Sequence, residues 1–212
     1  MKIVLFGASG RIGQRIAQEA LNRGHTVTAV ARTPESVPLQ HERLTTQAGD
    51  VRDAALVARL AAGHDIVASA VAASGGQGPQ MLVEAAHALL AGTTSAGVAR
   101  LMVVGGAGSL EVAPGKLLLD TPDFNPAWRP GALGHLEALQ VYRAEPALDW
   151  TCLSPAAFIA PGERTGHYRT GGNSVLRDAN GESRISMEDF AIAFVDEIES
   201  PRFPRQRFTV AY

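Results

Sequence analysis

Short runs of apolar, β-branched residues alternate along the chain with longer stretches in which apolar residues recur every three or four positions. The first segments, KIVLF from Lys2, RIGQRIAQEALNRG from Arg11 and TVTAVA from Thr26, read as strand, helix and strand. A crossover of that kind is parallel and right-handed. The rhythm continues with a weak strand near Leu44–Ala48, a helix in DAALVARLAAG, a strand in DIVASAV, a helix in PQMLVEAAHALLAG and a strand in RLMVVGG. Such alternation predicts an α/β chain with a doubly wound parallel sheet.

After Ala107 the pattern breaks, and PGKLLLDTPDFNPAWRPG is rich in residues that set turns and interrupt ladders, so an ordered loop over the sheet is expected. A helix is predicted over 132–145, then a strand in DWTCLSP. In GHYRTGGNSVLRDANGESRIS the Asn180-Gly181 pair suits a tight hairpin turn, giving a small C-terminal lid. Ser186 and Asp189 form an S-x-x-D helix start with Phe190, Phe194 and Ile198 on one face, followed by Pro201 and a last strand, RFTVAY. With no internal repeat, linker or low-complexity tract, the 212 residues are expected to form one domain, 1–212, around one core.

Composition narrows the partners. A formal charge of -2, from 19 basic and 21 acidic residues, offers no broad positive field, so neither nucleic acid nor a membrane surface is expected. Cys152 is the single cysteine, which rules out an intrachain disulfide and suits a reducing compartment. The apolar run 3–6 stops at Gly7 and is far shorter than a signal-peptide core or a membrane span. A soluble cytoplasmic protein, monomer or homodimer, is the expectation.

Gly7, Gly10 and Gly13 form G-x-x-G-x-x-G directly between the first strand and the first helix, with Ser9, Arg11 and Ile12 inside the loop. Missing side chains there permit a tight turn, close backbone approach and close helix packing, and the first helical N-H groups then face a pyrophosphate. An NAD-binding chain usually carries an acid after the second strand to bind the ribose hydroxyls; here Arg32 stands instead. A guanidinium grips phosphate, so NADP(H) is the expected cofactor, with Arg11 as a possible second donor. NAD(H) remains the alternative, because Glu35 lies three residues on and could reach the ribose.

The segments GASGRIG, Gly49-Asp50, the alanine-rich strand 67–73 and VVGGAGSL resemble the atypical short-chain dehydrogenase/reductase superfamily, which has a Rossmann-type fold. LDWTCLSPAAFI, GHYRTGG and ISMEDFAIAFVDEIESPRFPRQRFTVAY look like the bacterial proteins known as NADH-flavin reductases or NAD(P)H-binding proteins, and the similarity spans nearly the whole chain. The resemblance implies that Asp50 and Val51 border the adenine and that the main chain of Ala70, Val71 and Ala72 runs beside the nicotinamide half. It also puts Ser109 near the nicotinamide, as a hydrogen-bond donor to the acceptor. Asp50 as a helix N-cap and Ser109 as a turn hydroxyl are the competing structural roles. Ser154, Pro155 and Ala156 end a strand on the same rim, where backbone contacts to the carboxamide are expected.

The Tyr-x-x-x-Lys pair of ordinary short-chain dehydrogenases cannot be assembled: Lys2 and Lys116 are the only lysines, and Tyr142, Tyr168 and Tyr212 have none four residues on. Six scattered histidines lack metal spacing, and no metal is expected. The chemistry that asks least of side chains is hydride transfer to an acceptor that is itself electrophilic. The expected function is therefore an NADPH-dependent reductase of a flavin-like or quinone-like acceptor. His135 is a candidate proton donor, and Phe124, Trp128 and Phe158 are candidates to stack on a flat ring. The alternative is a non-catalytic NADP(H) sensor acting through a protein partner.

Overall fold

The computed structural model describes residues 1–73 and 78–212. In chain order its main elements are β1 (Lys2–Phe6), α1 (Arg11–Asn22), β2 (Thr26–Ala31), β3 (Leu44–Ala48), α2 (Ala54–Ala61), β4 (Ile66–Ser69), α3 (Gln80–Ser95), β5 (Arg100–Val104), β6 (Glu111–Ala113), β7 (Lys116–Leu117), α4 (Arg129–Arg143), β8 (Asp149–Ser154), β9 (Phe158–Ala160), β10 (Arg169–Gly171), β11 (Arg184–Ser186), α5 (Met187–Glu199) and β12 (Gln206–Ala211). Eight strands form one sheet in the order β10-β12-β8-β5-β4-β1-β2-β3. Every neighbouring pair is parallel except β10 with β12 at the edge. The fold is the expected doubly wound α/β sheet of Rossmann type.

The chain starts in mid-sheet at β1, builds outward through β2 and β3, then crosses to the other side of β1 and continues with β4, β5, β8 and β12. Chain leaving β1 and β4 therefore diverges, and a crevice opens at their carboxyl ends. Pleating sends alternate residues of β1 to opposite core layers. Ile3 and Leu5 meet Ile16 and Leu21 of α1 and Phe190 and Phe194 of α5. Val4 and Phe6 meet Val57 of α2, Leu89 of α3 and Leu139 of α4. Strands buried on both faces read as continuous apolar runs, which is why the sequence announced them.

Three local expectations need correction. The Asn180-Gly181 turn forms, with Gly181 at φ 80° and its N-H donating to Asp178 O at 3.0 Å. Yet its flanking strands do not pair with each other: β10 joins β12, and β11 runs parallel to β9. Turn chemistry is local, whereas the free edge of β12 and the segment after β8 offer these short strands longer-range partners. The loop after Ala107 contains a small antiparallel pair, β6 with β7, which its proline and glycine content concealed. Helix α4 starts at Arg129, three residues before the expected 132, because Pro130 is well suited to a first helical turn. Among the described residues no helix is long and apolar enough to cross a membrane.

Candidate cofactor and acceptor cleft

The glycine loop is shaped by atoms it lacks. Gly7 follows β1 at φ +80°, and a β-carbon there would lie 2.8 Å from the Ala70 carbonyl carbon after β4. On Gly13 a β-carbon would fall 2.1 Å from the Gly7 carbonyl oxygen, so only glycine lets α1 press against the turn. Gly10 is the N-cap of α1, no side chain caps the helix, and its first turn carries no acid. The N-H groups of that turn thus remain available to an anion, as a dinucleotide diphosphate requires.

These N-H groups face a cleft of about 750 Å³ that runs across the carboxyl ends of the strands. At the end over β2 and β3 it is lined by Arg11, Arg32, Asp50, Val51 and Arg52. Arg52 grips Asp50 with two guanidinium nitrogens, Nη2 at 2.6 Å and Nε at 3.1 Å. Those bonds hold the Asp50 carboxyl below the usual carboxylate range, with a smaller contribution from the Arg32 charge. Helix α2 is capped instead by Asp53, whose carboxylate accepts the Ala55 and Leu56 N-H groups at 3.0 Å. Arg32 is exposed and lines the cleft, while Glu35 sits in the turn Pro34–Ser36 outside the lining.

The other end lies over β5 and β8. Its floor is the glycine-rich segment 105–108 with Pro155 and Ala156, and its wall includes Phe124, Trp128, His135, Ile159 and Met187. A β-carbon on Gly105 would lie 2.6 Å from Cys152 Sγ, and one on Gly106 would lie 2.8 Å from His135 Cβ. Those two glycines therefore let the chain pass between β8 and α4. The His135 ring is partly open to the cleft but sits deep in the molecule, and burial pushes its pKa down to about 4, leaving it neutral at pH 7. Burial pushes the Cys152 thiol up to about 12, which makes it inert.

The single lining brings together Gly7, Ser9, Gly10, Arg11, Ile12, Arg32, Asp50, Val51, Ala70, Val71, Ala72, His135, Pro155 and Ala156. Beyond Glu35, four sequence candidates are not part of it. Gly13 acts behind the loop by packing. The Ser109 hydroxyl donates to Gly106 O at 3.3 Å and accepts from buried Arg207 Nη1 at 3.3 Å, so it is turned into the protein. Ser154 is buried beneath Gly105, and its carbonyl accepts the Thr209 hydroxyl at 3.0 Å. Phe158 is 57% exposed and also lies outside the lining, because pleating gives that side to Ile159. Residues the sequence did not single out include Arg52, Ile159 and Met187. Arg52 was two positions from Asp50, but only the fold shows that they pair.

Over residues 7–201 the chain matches the NAD(P)H-binding family model. Among solved structures, a candidate exported protein from Burkholderia pseudomallei is 51% identical with a TM-score of 0.90, each chain covered in full. A candidate epimerase from Bacteroides thetaiotaomicron is 40% identical with a TM-score of 0.92, covering 100% of this chain and 96% of that one. A candidate NADH-flavin reductase from Streptococcus pneumoniae is 34% identical with a TM-score of 0.85, covering 100% and 99%. Their descriptions differ, whereas the fold is common to all three. The chain belongs to the NAD(P)H-binding family.

Proposed function

We propose that this protein is an NADPH-dependent reductase that passes hydride to a flat, electrophilic acceptor of flavin or quinone type. The observation that carries the choice of cofactor is Arg32, a cation on the cleft wall at the position where an acid would select NAD. The backbone at Gly7 and Gly10, free of side chains, and the uncapped first turn of α1 fit a diphosphate. Arg32 then takes the additional phosphate, and the Asp50-Arg52 pair borders the adenine with its charge internally compensated. Main chain from Ala70 to Ala72 and at Pro155 and Ala156 holds the nicotinamide end. When bound, the reduced cofactor supplies the hydride; the protein supplies position and a dry, apolar surround.

The test is titration with NADPH and NADH, by calorimetry, of wild type and Arg32→Ala. A charge-assisted hydrogen bond of about 1.5 to 3 kcal/mol corresponds to a loss of NADPH affinity on the order of ten- to a hundredfold. NADH affinity should stay unchanged. Equal binding of both cofactors, unaffected by the substitution, refutes the choice of NADPH. Tight binding with no oxidation of NADPH by any flavin or quinone refutes the reductase and leaves a cofactor sensor.

A further inference from the structure

Charge is distributed unevenly along the cleft. Its lining contains four ionised side chains, Arg11, Arg32, Asp50 and Arg52, and all four lie at the end over α1, β2 and β3. Among the described residues, the end over β5 and β8 has none. Arg129, next to Trp128 in the chain, is turned away: it donates to Leu119 O at 2.7 Å and lies 3.7 Å from Asp120. At this end Phe124 and Trp128 meet edge to face with ring centroids 6.4 Å apart, and Trp128 is 55% exposed. An exposed indole at the mouth of an apolar wall is a stacking surface for a flat ring.

We infer that the acceptor, on the reductase reading above, is an uncharged quinone and not a flavin nucleotide, because its end of the cleft pairs an aromatic wall with no cation to meet a phosphate. A phosphate brought there would lose hydration with no compensating partner. The same end also disfavours simple aldehydes and ketones. Hydride addition to them generates an alkoxide about as basic as hydroxide, which calls for a protonating group. Among the described residues His135 is the one titratable side chain lining that end, and it is already neutral. A quinone yields a phenolate-like oxyanion, with an acidity of about 10 as in tyrosine, which water can protonate. The balance is complete: the quinone gains a hydride from NADPH and one proton from solvent to become the quinol, and NADPH is oxidised to NADP⁺.

The experiment holds the ring constant and changes the charge. Wild-type enzyme with NADPH is assayed against naphthoquinone and naphthoquinone sulfonate, riboflavin and FMN, with hexanal as the simple carbonyl. Naphthoquinone should exceed its sulfonate, and riboflavin FMN, in kcat/KM on the order of tenfold or more. Naphthoquinone should lead the panel, and hexanal should not react. FMN equal to or better than naphthoquinone overturns the inference while leaving the reductase standing; NADPH that binds but reduces nothing defeats the reductase itself. A second readout needs no turnover. With NADP⁺ present, naphthoquinone should quench the Trp128 emission of wild type, Trp128→Phe should lose that quench, and Trp128→Ala should raise the quinone KM without weakening NADPH binding. Quenching that persists in Trp128→Phe counts against the stacking wall.

Discussion

At the scale of single residues, Gly13 shows how a spacing in the sequence becomes a distance in the structure. A β-carbon 2.1 Å from the Gly7 oxygen cannot be accommodated without moving α1 off the turn. Gly13→Ala is expected to destabilise by about 1 to 3 kcal/mol, read as a lower urea midpoint, and to weaken NADPH binding. Gly131 provides the contrast, since its added β-carbon meets nothing within 4 Å inside α4; Gly131→Ala should stabilise by roughly 0.5 to 1 kcal/mol. The glycine loop and Arg32 were legible because their roles depend on neighbours close in sequence. Ser109 was not, because its hydroxyl direction is set partly by Arg207, on the distant strand β12. His135 yields a pH prediction. With a folded pKa of about 4, below its ordinary value near 6.5, the folded protein binds fewer protons than the unfolded chain between those two values. Stability therefore falls as pH drops through that window, by on the order of 1 to 3 kcal/mol for this group. Comparing urea midpoints at pH 7 and pH 4.5 for wild type and His135→Gln isolates it: the variant should lose less on acidification.

At the scale of elements, the sequence was most readable where an element carries its own periodicity and least where a short strand depends on a remote partner. The apolar runs of β1, β4 and β5 and the amphipathic α1 declare themselves. β10 and β11 are three residues each and take their identity from β12 and β9. The start of α5 lies between these cases. Ser186 caps the helix as its spacing suggests, accepting the Asp189 N-H at 2.9 Å. Asp189 does not return the bond to Ser186. Its buried carboxylate accepts the Thr165 and Gly166 N-H groups at 2.8 Å, the Thr165 hydroxyl at 2.6 Å and the Tyr212 hydroxyl at 2.7 Å. Burial works to raise its pKa, but the Thr165, Gly166 and Tyr212 donors outweigh it and leave the group below the usual range. One side chain thus ties the segment after β9, the start of α5 and the end of β12 together beside Met187, which lines the cleft. Asp189→Asn replaces an acceptor oxygen with a donor and leaves buried donors unpaired, for a loss of about 1 to 3 kcal/mol. Chemical denaturation should register it, and faster proteolysis within 161–168 should accompany it.

At the scale of the whole molecule, the cleft lies where the two directions of winding meet, so a ligand in it touches the chain after β1, β2, β3, β4, β5 and β8 at once. Both core layers lie against the same eight-stranded sheet. No part of that sheet can open without exposing both layers, so unfolding is expected to be a single transition, with far-ultraviolet dichroism and the emission of buried Trp150 changing together. Occupancy of the cleft should then shift the whole transition without splitting it. A ligand that binds only the folded chain adds about 2.7 kcal/mol at a hundred times its dissociation constant. For a chain of this length that becomes a rise in Tm of roughly 5 to 10 °C. NADPH should produce that rise in wild type. In Arg32→Ala, at the same NADPH concentration, much of the rise should disappear while the Tm without cofactor stays put, because Arg32 is exposed. Two separate transitions, only one of them moved by NADPH, would show that the cleft reports on part of the molecule and that the sheet does not couple its halves.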